Sequence, residues 1–187
     1  LEGSEPPIWR RVLVPGNVSL RRLHNIIQVV MNWETHHLHG FGINGINYGE
    51  PDPDGMHQMD WRDDKKFTLN QAAAPPIKNF RYIYDFGDSW NHQIEIERTF
   101  LHEDPRPYPL CPAGARACPP EDVGGIHQYQ EEFLPALRDP NHEMHEEYLT
   151  WIGGFFDPLG FDANAVHRRL KTFRASHGKS RIPASNA

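Results

Sequence analysis

Several features that define large classes of proteins are missing from this sequence of 187 residues. It contains two cysteines, too few for a scaffold held together by disulfides. No stretch approaches the roughly 18 consecutive apolar residues that a membrane-spanning helix needs. The formal charge of −6 argues against non-specific binding to nucleic acid as the main task. We therefore expect a soluble, cytoplasmic protein that does not contact a membrane.

The motifs of common enzyme classes are also missing. There is no Walker A loop, no GxGxxG and no GxSxG, and the Asp-Phe-Gly triplet at 85–87 stands without the other segments of a protein kinase. His142 and His145 are three residues apart, whereas the HExxH motif of zincins requires four. No motif in the sequence therefore indicates a class of reaction.

The apolar pattern predicts strands early in the chain and helices late. Ser19 is a good N-cap for an amphipathic helix over 19–32, and Asn44-Gly45 between two short apolar runs is typical of a tight hairpin turn. Alternating side chains predict two further strands, at 80–86 and 92–97.

Loops are predicted at 50–66 and 102–125, two short helices across 127–150, and a last helix over 163–176 capped by Asp162. This order of elements favours an α+β fold rather than alternating β-α units. We expect a single domain over 1–187, an α/β roll in which a mixed or antiparallel sheet packs against helices.

Charge is unevenly distributed along the chain. Between Pro119 and Tyr148 eight acids accompany one base, Arg138, whereas no acid follows Asp162. The last predicted helix carries the candidate nucleic-acid contacts, which are Arg168, Arg169, Lys171 and Arg174. A solvated helix face is the default explanation of such a run, and docking on the acidic segment, within the chain or across a homodimer, is another.

The segment 84–92 is the most distinctive in the chain. Asp85 and Asp88 are followed by His92, a set that can bind a metal ion or transfer protons. The alternative, which we favour, is a hairpin turn in which Asp88 accepts backbone N–H groups and Trp90 packs in the core.

Cys111 and Cys118 lie seven residues apart in a turn-rich segment. A single pair excludes a Cys₄ zinc site, but Zn²⁺ held by two cysteines and histidines stays open, as do two free thiols. The candidate histidine donors are His92, His127, His142 and His145. In the cluster His36-His37-Leu38-His39 we expect His39 to be a hydrogen-bonded core residue.

Six segments of the chain together carry a family resemblance. They are Pro7-Ile8-Trp9-Arg10-Arg11, Leu20-Arg21-Arg22-Leu23-His24, His37-Leu38-His39-Gly40-Phe41, the run 82–92, the run 118–125, and Phe156-Asp157-Pro158 before Phe161-Asp162. In these segments the chain resembles the plasmid Ri open-reading-frame-three-like proteins of bacteria and archaea. The resemblance covers residues 6–173 as a family core and implies a compact α+β roll, with 174–187 as a flexible basic tail. It also implies a strand before residue 6, for which residues 1–5 leave little room.

The family resembled is uncharacterised and associated with plasmids and insertion sequences, and some members carry a resolvase label. A recombinase needs a nucleophilic serine or tyrosine with an arginine cluster, and no such arrangement is recognisable here. The resemblance therefore implies a link to mobile elements without a mechanism.

Three functional hypotheses follow. The leading one is a non-catalytic binding domain for a protein or small-molecule partner, with a groove between the 80–97 hairpin and the 118–125 loop. Its expected lining is Asp85, Asp88, Trp90, His92, Glu121 and Asp122. The second is a metal-dependent hydrolase or nuclease in which Asp85, Asp88, His92 and Glu121 hold a divalent ion, such as Zn²⁺, that activates water.

The third hypothesis is a nucleic-acid accessory protein that uses the four basic residues of the last helix. Across the metal-binding hypotheses, the candidate metal ligands are Asp88 and His92 from the turn segment, together with Cys111 and Cys118.

Overall fold

A computed structural model describes residues 1–51, 61–100 and 107–176. Its strands are β1 (Trp9–Leu13), β2 (His39–Ile43), β3 (Ile46–Gly49), β4 (Arg62–Asp63), β5 (Asn79–Tyr84), β6 (Trp90–Glu95) and β7 (Leu110–Ala115). Its helices are α1 (Leu20–Met31), α2 (Leu69–Ala72), α3 (Gly125–Gln128), a π-helical turn (Tyr129–Phe133), α4 (Leu134–Arg138), α5 (His145–Trp151) and α6 (Ala163–Ser176).

Five strands form one sheet in the order β4-β3-β2-β5-β6, and β1 pairs with β7 in a separate two-stranded sheet. Every pairing is antiparallel except that of β3 with β4, so the larger sheet is mixed. The predicted α+β fold with a mixed sheet and packed helices is confirmed. None of the described helices is long and apolar enough to cross a membrane.

Helix α1 forms where the sequence predicts it. The Ser19 hydroxyl accepts the N–H of Arg22 at 3.1 Å, and Asn32 ends the helix in the left-handed conformation with φ +64°. The apolar face of α1 packs with the sheet in one cluster of buried side chains, to which α6 also contributes Val166 and Leu170. The described residues therefore share a single core.

The hairpin at Asn44-Gly45 is also confirmed, with positive φ at both turn residues. Two strands, however, lie in segments predicted to be loops. β4 is only two residues long, and β7 contains Pro112, which interrupts the alternation that normally reveals a strand. Of the predicted loops, residues 52–60 and 102–106 lie outside the described residues.

Helices do occupy the 127–150 region, but the first begins earlier, at Gly125, and passes through the π-helical turn into α4. At the C-terminal end, Asp162 Oδ1 accepts the N–H of Ala165 at 2.9 Å, which confirms the predicted cap of α6. Residues 174–176, predicted to begin a flexible tail, are the last turn of α6. Residues 177–187 are not described.

Candidate functional site

Three segments that are far apart in sequence meet beyond the carboxyl end of β5. His37, from the segment between α1 and β2, lies between two carboxylates. Its Nδ1 is 3.6 Å from Asp85 Oδ2 and its Nε2 is 2.9 Å from Asp122 Oδ1. Asp85 directly follows β5, and Asp122 belongs to the loop before α3. We call His37, Asp85 and Asp122 the His37 site.

A second set of hydrogen bonds ties the same segments together. The Tyr84 hydroxyl donates to the Glu121 carboxylate and accepts the backbone N–H groups of His36 and His37, at 3.1 and 3.4 Å. The other Glu121 oxygen accepts the N–H of Glu34 at 2.6 Å. Burial, together with the bond to Glu121, raises the pKa of Tyr84 well above its usual range. Tyr84 is therefore a neutral hydrogen-bond donor at physiological pH.

The turn between β5 and β6 is in close contact with the loop before α3. Asp88 Oδ2 accepts the N–H of Gly124 at 3.0 Å. At Gly125, which has φ +82°, a Cβ atom would lie only 2.5 Å from the carbonyl oxygen of Asp88. The close approach of the two backbones therefore depends on glycine at this position.

The backbone around the site is strained. Of the seven non-glycine residues with positive φ among those described, four lie in these three segments: Thr35 (+67°), Asp85 (+54°), Ser89 (+54°) and Asp122 (+62°). Each such conformation costs free energy, and it persists only where the surrounding structure holds it. Strain of this kind concentrates at functional sites, so the three segments that meet beyond β5 form the candidate functional site.

An open groove of about 670 Å³ begins at Asp122 and runs along α5. It is lined by Asp122, Val123, Glu146, Glu147, Tyr148, Thr150 and Trp151, and we call it the acidic groove. None of these seven residues carries a positive charge. The Trp151 side chain packs edge-on against Phe133 and is still 48% exposed, so it offers a fixed aromatic surface to a ligand.

The sequences described as plasmid pRiA4b ORF-3-like protein match residues 1–165 of the chain. The chain belongs to this family. The resemblance seen in the sequence is thereby confirmed.

Two relatives of this pRiA4b ORF-3-like chain illustrate the range of the family. The uncharacterized protein y4hQ of Sinorhizobium fredii is 42% identical over 154 residues, which cover 82% of this chain and 77% of y4hQ. The crystal structure of MM3350, a protein of unknown function from Methanosarcina mazei Go1, shares 39% identity with a TM-score of 0.77. That match covers 87% of this chain and 91% of MM3350, so the two share the fold over most of their length.

The structure divides the six predicted groove residues into two groups. Asp85, Asp88, Glu121 and Asp122 come together where the turn meets the loop. Trp90 and His92 instead face the core, at 1% and 5% exposure, because alternate residues of β6 point to the same side of the sheet. This arrangement agrees with the hairpin-turn interpretation of the segment 84–92, in which Trp90 packs in the core and Asp88 accepts a backbone N–H.

His92 is also unsuited to the solvent-facing role expected of it. Its Nδ1 hydrogen-bonds with the carbonyl oxygen of Trp90 at 2.9 Å, and its buried Nε2 has no partner among the described residues. Burial lowers the pKa of His92 to about 3, so the ring is neutral at physiological pH.

The candidate metal ligands do not assemble as predicted. Cys111 and Cys118 are free thiols, and Cys118 Sγ lies 3.0 Å from an Arg10 guanidinium nitrogen and 3.4 Å from Met31 Sδ. Within the described part of the chain, the group of three potential ligands close enough to share an ion is the His37 site. That group contains neither cysteine, nor Asp88, nor His92.

Helix α6 does not present its four basic residues as one free patch. Arg169 Nε donates to the carbonyl oxygen of Val29 at 3.2 Å, and an Arg174 guanidinium nitrogen donates to that of Pro109 at 2.7 Å. Arg168 lies 3.6 Å from the Asp162 carboxylate, and Lys171 is exposed. The surface available to nucleic acid is therefore smaller than the sequence suggests.

Sequence reasoning named His37 only as a member of a histidine cluster and did not select Glu146, Glu147 or Trp151. The available signal for His37 was its place in a segment that carries the family resemblance. For α5, the signal was two adjacent acids followed by a tryptophan on one short helix.

Proposed function

We propose that this protein is a non-catalytic binding domain whose acidic groove binds a lysine- or arginine-containing segment of a partner protein. The observation that carries the proposal is the groove itself, which is lined by Asp122, Glu146 and Glu147 together with the half-exposed Trp151. Carboxylates beside an aromatic face are the chemistry that recognises a cationic side chain, by ion pairing and by cation–π contact.

The charge of the surrounding segment supports the same partner. Between Pro119 and Tyr148 eight acids accompany one base, so the field around the groove attracts cations and repels acidic ligands. The rigid loop before α3 also helps, because a side chain that is already held in place loses little conformational entropy when it binds. Asp122 lies on that loop at the end of the groove, where Gly124 and Gly125 fix the loop against the β5–β6 turn.

The test is fluorescence anisotropy with a labelled peptide of alternating lysine and alanine. The same peptide with glutamine in place of lysine is the charge control. We expect binding of the lysine peptide only, with an affinity that falls as salt is added. Replacing Glu146 and Glu147 by glutamine should weaken it by about fivefold, since each exposed ion pair is worth on the order of 0.5 kcal/mol.

Glu131 and Glu143 provide a matched control. Both are exposed, both belong to the acidic segment, and neither lines the groove. The Glu131→Gln/Glu143→Gln variant has the same net charge as the groove variant and should keep the affinity. Equal losses in the two variants would show that the peptide responds to net charge and that the groove is not its site.

A further inference from the structure

Three side chains of the right chemical types for a metal ion converge at the His37 site. One ligand atom from each of His37, Asp85 and Asp122 lies within 4.8 Å of the other two. Each donor comes from a different segment of the chain, and the three segments are held together by the hydrogen bonds of Tyr84 and Asp88. The cluster is therefore a product of the fold and not of neighbouring positions in sequence.

The charges at this site favour the binding of a cation. The ion pairs formed by Asp85 and Asp122 within the described residues are both with His37. No described lysine or arginine lies within 4 Å of either carboxylate. The two carboxylates therefore lie close together with no lysine or arginine beside them, which is unfavourable for the Asp85 side chain in particular because it is only 13% exposed. A divalent ion would balance them.

The donors are also oriented in advance. Asp85 Oδ1 accepts the N–H of Gly87 at 2.9 Å, which leaves Oδ2 on the side of His37. The backbone N–H of His37 donates to the Tyr84 hydroxyl, which in turn donates to Glu121, next to Asp122. Hydrogen bonds that hold metal ligands in place in this way contribute substantially to metal affinity.

We propose that His37, Asp85 and Asp122 bind a divalent transition-metal ion, Zn²⁺, through one imidazole nitrogen and two carboxylates. Imidazole and carboxylate oxygen are both ordinary zinc ligands, and three protein ligands leave a position for water or for a group of a partner. The ion would link the segment after α1, the β5–β6 turn and the loop before α3. Asp122 also lines the acidic groove, but the proposal goes beyond the binding function because the other two ligands, His37 and Asp85, do not line that groove.

The test uses the full chain, freed of metal by a chelator, with Zn²⁺ alone as the probe in isothermal titration calorimetry. We expect one ion per chain. His37→Gln and Asp122→Asn should each weaken the affinity by about tenfold or more, because each removes one of three ligands. The matched control is His36→Gln, which removes an adjacent exposed histidine that is not part of the site and should leave the affinity unchanged.

Thermal unfolding followed by circular dichroism gives a second readout. Zn²⁺ should raise the melting temperature of the wild-type chain and of His36→Gln, but not that of His37→Gln. Asp122 is 67% exposed, so Asp122→Asn tests the site even if His37→Gln fails to fold. If the wild-type chain takes up no Zn²⁺, or if both variants bind it as tightly as His36→Gln does, the proposal is overturned and His37 only hydrogen-bonds the two carboxylates.

Zn²⁺ binding and peptide binding can be measured separately. The Glu146→Gln/Glu147→Gln variant keeps all three donors of the His37 site, so it should bind Zn²⁺ like the wild-type chain whether or not it binds the lysine peptide. Loss of Zn²⁺ binding in that variant would contradict the assignment of the ligands.

Discussion

The imidazole rings of His24 and His39 are stacked face to face, with centroids 3.5 Å apart and planes inclined by 7°. Both side chains are buried, and each has a hydrogen-bond partner on its outer side. His24 Nδ1 is 2.8 Å from the Tyr82 hydroxyl, and His39 Nε2 is 2.8 Å from Asp64 Oδ2. Arg21 completes the row with its own hydrogen bond to Asp64, at 2.9 Å. The expectation that His39 is a hydrogen-bonded core residue is confirmed.

Removal of the Asp64 carboxylate should be strongly destabilising. Burial alone would raise the pKa of Asp64, but hydrogen bonds from His39 and Arg21 hold it below its usual range, so the group is ionised and paired. We expect Asp64→Ala to lower the free energy of unfolding by about 3–5 kcal/mol, because it takes the Asp64 carboxylate away from the buried His39 ring and the partly buried Arg21 guanidinium. Urea denaturation followed by circular dichroism measures this.

An exposed ion pair of this protein serves as the comparison. Arg11 and Glu97 lie 2.8 Å apart with half of each side chain exposed. Glu97→Ala should cost no more than about 1 kcal/mol. Equal losses in Asp64→Ala and Glu97→Ala would mean that the Asp64 carboxylate is not a structural element of the core.

Stability should decrease as the pH falls below about 6.5. Burial lowers the pKa of His24 to about 2 and that of His92 to about 3, whereas an unfolded chain has histidine pKa values near 6.5. Below that pH the unfolded state binds more protons, so the free energy of unfolding falls by up to about 1.4 kcal/mol per pH unit for each histidine. Above it, this contribution is fully present and constant.

Urea denaturation between about pH 7 and pH 5 measures that slope. The His24→Gln/His92→Gln variant should have a flatter profile, while His36→Gln/His127→Gln, which alters two exposed histidines, should keep the wild-type slope. An unchanged slope in the first variant would assign the pH dependence to other groups.

Local features of the fold could be predicted from the sequence because their causes are local. The helix over 19–32 follows from its apolar periodicity and the Ser19 cap, and the hairpin follows from Asn44-Gly45. Strand β7 could not be predicted in the same way. It contains Pro112 and Gly114, and its partner β1 lies far from it in sequence, at Trp9–Leu13.

The candidate site was only partly predictable for a related reason. Asp85, Asp88, Glu121 and Asp122 were identified because they belong to turn-like segments rich in carboxylates. His92 seemed to belong with Asp88 because it is four residues away, yet strand alternation directs it into the core. His37 joins the site through a contact with Asp122, which is far away in sequence, and a local sequence pattern cannot predict such a contact.

Two glycines with nearly the same φ should respond differently to alanine. Gly125 (φ +82°) would place its new Cβ 2.5 Å from the carbonyl oxygen of Asp88, whereas Gly153 (φ +80°) has nothing within 4 Å. Gly153→Ala should cost about 1 kcal/mol, the backbone strain alone. Gly125→Ala should cost clearly more, because the loop must move away from the β5–β6 turn.

Thermal or urea unfolding of the two alanine variants measures the difference. Gly125→Ala should also weaken Zn²⁺ binding at the His37 site, since it displaces the loop that carries Asp122. If the two variants are equally stable, the contact between Gly125 and Asp88 contributes nothing beyond the backbone conformation.

The two thiols should react slowly with an alkylating reagent while the protein is folded. Burial raises the pKa of Cys118 to about 11 despite the neighbouring Arg10, and burial also raises the pKa of Cys111. Because the thiolate is the reactive form, alkylation of Cys118 at about pH 8 should be about a hundredfold slower than in the unfolded chain. Mass spectrometry after iodoacetamide treatment, with and without urea, measures both rates. A folded-state rate equal to that in urea would show that Cys118 is accessible and ionised.

The pairing of β1 with β7 has a consequence for the order of folding. Trp9 lies opposite Ala115, so this small sheet closes a loop that contains all five strands of the larger one. Closing so long a loop adds little to the equilibrium cost, because loop entropy grows only with the logarithm of length. Closing the loop does slow folding, because β1 and β7 are far apart in sequence and must meet before they can pair. The two-stranded sheet is therefore expected to form late in folding. Helix α1 and the antiparallel strands of the larger sheet, on which α1 packs, are expected to form first.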